Sequence, residues 1–134
     1  MRLLLAAAIV LMAAACGGHA TSTATPPKPK PRIRVELTAD SHHPRVGRPW
    51  HYEVRVTSGG KPVAARIHLQ ILFGGVPVGQ VGRHRVAGGV WQETIGRGIN
   101  KPFPARAKGI RLVFEAVARA LGQTRKADYW IVVR

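Results

Sequence analysis

The chain reads as an all-β protein, a single antiparallel sandwich of about seven strands over residues 32 to 134. Three observations predict this. Apolar residues recur with period two from Ile33 to Val133, the spacing of a half-buried strand rather than a helix. Glycine pairs and Gly-Pro clusters punctuate those runs at short intervals, as tight turns require. A length of 134 residues with 46% hydrophobic and 20% charged residues bounds the answer to one small domain with flanking segments.

Ile33, Val35 and Leu37 alternate with Arg34, Glu36 and Thr38, giving a first strand that ends at Asp40-Ser41-His42-His43-Pro44. The next run places Trp50, Tyr52, Val54 and Val56 on one face and His51, Glu53, Arg55 and Thr57 on the other. Ser58-Gly59-Gly60-Lys61-Pro62 is a turn, because two glycines admit positive φ and Pro62 sets the exit. A third run sets Val63, Ala65, Ile67, Leu69, Ile71 and Phe73 against Ala64, Arg66, His68 and Gln70. After Gly74-Gly75, Val76 to Val81 carries a proline and a glycine that make it an edge strand, continued by Arg83 to Val86. Gly88-Gly89 opens Val90 to Ile95, whose two faces are both mixed.

Gly96 to Gly109, with its prolines and cations, reads as a long loop. Ile110, Leu112, Phe114, Ala116 and Ala118 then share one face. The alanines of Val113 to Leu121 make a helix the competitor, but the polar residues fall on alternate positions and Gly122 cuts the run off as a tight hairpin. Lys126 to Val133 closes the chain, with Ala127, Tyr129, Ile131 and Val133 opposite Lys126, Asp128 and Trp130. Val46-Gly47-Arg48-Pro49-Trp50, Gly60-Lys61-Pro62-Val63, Gly88-Gly89-Val90-Trp91 and the run from Gly109 to Ala116 together resemble bacterial immunoglobulin-like domains. That resemblance covers nearly all of residues 32 to 134 and implies the fold.

The N-terminus carries an address. Arg2 precedes an apolar run from Leu3 to Met12, which is too short to span a bilayer, and Ala13-Ala14-Ala15 leads directly into Cys16. This is similar to the lipobox of bacterial lipoproteins, with Ala13 where leucine is usual. It implies a signal peptide over residues 1–15, acylation of Cys16 as the first mature residue, and a cell-membrane protein facing outside the cytoplasm. Residues 16–31, ending Pro26-Pro27-Lys28-Pro29-Lys30-Pro31, have no periodic apolar face and read as an extended, solvated tether. With Cys16 the only cysteine, neither an intramolecular disulfide nor a cysteine-built zinc cage can form.

The formal net charge is +15, and loss of Arg2 with the signal leaves +14. Such a field favours anionic surfaces, and outside the cytoplasm these are phospholipid head groups and wall polymers rather than nucleic acid. Richness in Arg, Ala, Gly, Val and Pro also follows from GC-rich codons, so ligand binding and codon bias both stay open. The best basic-plus-aromatic patch in the sequence is the loop bearing Arg97, Lys101, Phe103, Arg106 and Lys108. Trp130, on the polar parity of the last strand, is a candidate exposed anchor for a partner.

Chemistry is harder to find. The serines are Ser22 in the tether and Ser41 and Ser58 in turns, none in a nucleophile-elbow context. Most of the six acids fall on outward strand positions, where solvated or cross-strand-paired carboxylates are the ordinary state. His42, His43 and His51 are close in sequence, yet no methionine or free cysteine of the mature chain joins them, and solvated turn histidines is the preferred reading. The expectation is a non-catalytic binding or interaction module without cofactor or metal, with an anionic envelope polymer or an envelope protein as its partner. The rivals are a structural accessory subunit pairing through a strand edge, and a periplasmic metal-handling sandwich.

Overall fold

In the computed structural model, which describes residues 24–96 and 103–134, the alternating runs become strands stacked in two layers. The signal segment, Cys16, Arg97 and Lys101 lie outside the described residues. The strands are β1 (Ile33–Ala39), β2 (Trp50–Ser58), β3 (Lys61–Pro62), β4 (Ala65–Phe73), β5 (Val76–Val86), β6 (Val90–Ile95), β7 (Arg111–Ala120) and β8 (Gln123–Val132). Among the described residues this makes eight strands, the addition to the expected set being the two-residue β3. One sheet has β2 at its centre, flanked by β1 on one side and by β6 and β3 on the other; the second runs β5-β4-β7-β8. All these strand pairs are antiparallel.

Period two does the sorting. Trp50, Tyr52, Val54 and Val56 of β2 are all buried and face Ile67, Leu69, Ile71, Phe114, Ala116, Ala118 and Ile131 of the other sheet. The alanines of β7 allow the layers to approach closely, and tertiary packing overrides their helical preference. Among the described residues the core is drawn from those between Ile33 and Val133. Residues 24–134 therefore carry a hydrophobic core of their own, as a domain that folds as a unit does. Residues 24–32 carry no regular secondary structure and are exposed, as a tether would be.

β5 is an edge strand, as Pro77 predicts, and its pairing with β4 slips between Leu69 and Gln70 and between Ile71 and Leu72. Val81 and Val78 are the extra residues at the two slips, two bulges in one edge strand. Two expectations fail here. Phe73 ends β4 exposed instead of inward, and Gln70 and Leu72 of the opposite parity are buried. Ile110, expected inward, lies one residue before β7 and is exposed.

Turn chemistry explains the connections. Leu121 and Gly122 join β7 to β8 with φ of 50° and 69°, the two-residue hairpin turn with both central residues left-handed. At Gly89, also at positive φ, a Cβ would lie 2.8 Å from the Val56 carbonyl oxygen, so only glycine lets this backbone close on β2. Between β1 and β2, residues 42–46 run alongside the end of β8: Val132 N donates to His42 O, Arg134 N to Pro44 O, and Val46 N to Arg134 O.

Candidate anion-binding face

The loop read from the sequence as a surface patch divides. Phe103 is 1% exposed and packs edge-on against Trp50, ring centroids 5.6 Å apart. This corrects its assignment as a binding residue: a ring flanked by prolines is apolar enough to leave the surface and close the end of the core. Ala105–Ala107 forms a single 3-10 turn with Ala107 buried, leaving Arg106 and Lys108 exposed. Arg106 borders an apolar hollow with Ile71, Phe73, Val78 and Ile110. Lys108 bridges to Val133.

Trp130 is 39% exposed, as its parity predicts, but its faces are occupied. His42 stacks on it at 3.9 Å and on Tyr129 at 4.1 Å, with its Nδ1 2.7 Å from the Trp130 carbonyl oxygen. The Arg111 guanidinium lies 5.1 Å from the Trp130 ring centre, a cation–π contact. His42 is thus a packed residue rather than a solvated one. His51 Nδ1 instead reaches Thr94 Oγ1 at 3.1 Å. Among the described residues no three His, Cys, Asp or Glu side chains come together as metal ligands do.

Strand register creates a different cluster. Arg66 of β4 stands directly opposite Arg85 of β5 on one side and Arg119 of β7 on the other, all three on the outer face of the second sheet and exposed. In the next row His68 stands opposite Arg83. Like charges directly across a strand pair repel, and a row of three guanidiniums compounds the cost. Among the described residues none of the three has an acidic partner. Arg66, Arg83, Arg85 and Arg119 line a cleft of about 550 Å³ with His68 and His84. Its charge and forked donors suit phosphate or carboxylate oxygens.

The acids are engaged elsewhere. Glu115 is 4% exposed and accepts from Gln70 Nε2 at 2.6 Å and from Lys126 Nζ at 3.1 Å, departing from the expected solvated carboxylate. Glu93 accepts the phenol hydrogen of the fully buried Tyr52. Burial, with Glu93 beside it, pushes the Tyr52 phenol far above its ordinary range. Glu53 is held below the usual carboxylate range by hydrogen bonds from Gln92 and Arg55. His84 stacks on Trp91 at 3.8 Å across the open side of the sandwich, 3.7 Å from Glu93. Ser41 Oγ accepts the His43 N–H, and Ser58 Oγ is buried.

Sequence alternation already set Arg66 and Arg119 outward, but nothing in it could say that they share a row with Arg85. Register across β4, β5 and β7 supplies that, and Val81, the bulged residue between Arg85 and Gln80, shifts it by one.

No family model matches the chain, and no curated protein does. Among solved structures it is similar to a CARDB domain from Pyrococcus furiosus crystallised in complex with di-metal ions, with a TM-score of 0.52 and 17% identity over 77% of this chain and 93% of that one. A likeness at that identity speaks to architecture, and together with the strand order it makes residues 33–133 an immunoglobulin-like β-sandwich.

Proposed function

We propose that the chain is an envelope lipoprotein, acylated at Cys16 and held outside the cytoplasm, whose sandwich is a non-catalytic module binding a polyanion of the envelope. The lipobox-like Ala13-Ala14-Ala15-Cys16 and the Pro/Lys tether support the address. An extended tether of that length spans roughly 45 Å, enough to present the domain at a distance from its anchor. One observation carries the binding reading: Arg66, Arg85 and Arg119 stand side by side in register with no acid among them. A sheet accepts that repulsion at a cost in stability, which a bound anion removes.

Residues 24–134 mixed with soluble polyphosphate test the binding, read by calorimetry across a salt series. Binding that weakens steeply with salt, and further on Arg66→Gln, is expected. Equal retention by the wild type and the Arg66→Gln, Arg85→Gln, Arg119→Gln variant would overturn it. Labelled palmitate incorporated by the full chain in a bacterial host, and lost on Cys16→Ser, tests the anchor.

A further inference from the structure

The arginine row stands at the end of the sandwich where the tether arrives. Gln123, first residue of β8, clamps the incoming chain: its Nε2 donates to Pro31 O at 2.6 Å and its Oε1 accepts from Ile33 N at 3.3 Å. Arg119 pairs with Thr124, the next residue along β8. Tether entry, the β7–β8 hairpin and the three guanidiniums are thus one continuous surface.

Leu121 occupies the tip of that hairpin, 55% exposed at φ 50°. A bulky side chain is unfavourable in left-handed backbone, and the position is one where asparagine or glycine is ordinarily found. An exposed leucine that costs backbone strain is unexplained by the fold. Beside it lies a hollow of about 680 Å³ lined by Ala64, Ala87, Ala120 and Leu121, which shares Arg66, Arg85 and Arg119 with the cleft on the outer face. Small apolar side chains, one protruding leucine and arginines with long aliphatic stems form a surface that is apolar at its tip and cationic at its rim. That is the profile of a bilayer interface, where apolar groups enter the acyl boundary while guanidiniums reach the phosphates.

Most of the acids leave this end clear. Glu36 pairs across from Arg55 and Glu115 from Asp128, and Glu53 and Asp40 lie further toward the Trp50 end of the sandwich. Glu93 lies 3.7 Å from His84, which lines the arginine cleft, but it already accepts the Tyr52 phenol. We infer that the domain seats its tether end on an anionic phospholipid bilayer, with Arg66, Arg85 and Arg119 on the head-group phosphates and Leu121 inserted. The inference rests on the polyanion-binding reading of the same face and names its ligand. The tether then hands the domain back to the surface that anchors it, instead of displaying it outward.

Residues 24–134, free of the lipid and the signal segment, are mixed with vesicles of phosphatidylglycerol and phosphatidylcholine, with pure phosphatidylcholine vesicles, and with soluble polyphosphate. Binding to the phosphatidylglycerol vesicles alone among the two lipids is expected. At about fivefold per cation, the Arg66→Gln, Arg85→Gln, Arg119→Gln variant should bind roughly a hundredfold more weakly. Leu121→Asn, which suits the turn, should weaken vesicle binding and leave polyphosphate binding unchanged. Arg106→Gln with Lys108→Gln, at the other end, should retain the larger part of the affinity. Vesicle binding untouched by Leu121→Asn, or binding to polyphosphate without binding to vesicles, overturns the seating and leaves the polyanion reading standing. Binding to neither overturns both. Circular dichroism of each variant reports whether the fold is intact.

Discussion

Phe103 meets Trp50 with ring planes at 86° and centroids 5.6 Å apart, so an aromatic from the least regular part of the chain closes the same core end as the first residue of β2. Trp50 makes a second edge-on contact with Phe114 of β7, at 5.2 Å. Phe103→Ala should therefore cost about 3 to 5 kcal/mol in urea unfolding, because it empties a filled site. Arg106→Ala, three residues on and exposed, should stay within about 0.5 kcal/mol. Equal effects would mean that the ring does not support the core.

The arginine row makes a prediction of opposite sign. Replacing Arg66 with Thr removes two like-charge oppositions at once and should raise stability by about 0.5 to 1 kcal/mol at low salt. Adding salt should stabilise the wild type more than the variant, since screening does for one what the mutation does for the other. Thermal melts of both proteins at low and high salt measure this, and a destabilised variant would show that the row is not repulsive.

Much of this was legible from residue order. Trp50, Tyr52, Val54 and Val56 alternate so cleanly that β2 and its buried face follow from period two alone, and Pro77 marks β5 as an edge. Phe103 was misplaced because a cation-rich, proline-bounded loop looks solvated, and no local pattern shows that its ring reaches a gap beside Trp50. Phe73 failed at a strand end, where alternation no longer guarantees cover. The Arg66, Arg85 and Arg119 row was invisible for a different reason: each lies in a separate strand, and pairing is a nonlocal property that bulges shift by whole residues.

Glu115 ties Gln70 of β4 to Lys126 of β8 across β7. Truncating it to Ala leaves the buried Gln70 amide without its partner, and the expected loss is about 1 to 3 kcal/mol. Lys126→Ala should cost less, about 0.5 kcal/mol, because its ammonium is largely exposed and the Gln70 bond survives. Chemical denaturation of the pair decides whether the burden lies on the amide or on the ion pair.

Alkaline stability should bend at Tyr52. Its phenol is raised from an ordinary 10.0 by burial and by Glu93, so above that pH the unfolded chain releases a proton that the folded chain keeps. Stability is then fully present below about pH 10 and falls as pH rises beyond it. Tyr129, raised by burial and by Asp40, adds to the slope in the same sense. Tyr52→Phe should flatten the alkaline limb of a urea-midpoint profile while lowering stability at neutral pH, where the hydrogen bond to Glu93 is lost. An unchanged limb would show that Tyr52 titrates normally.

Residues 42–46, laid against the end of β8, do more than connect β1 to β2. By taking hydrogen bonds from Val132 and Arg134 they occupy backbone groups that would otherwise template a second chain, while Pro77 and the bulges at Val78 and Val81 spoil the opposite border at β5. The β5 border and the last residues of β8 therefore offer no long, straight row of free amides and carbonyls. Molecules crowded side by side on a surface would find strand exchange hindered at β5 and at the C-terminal end of β8.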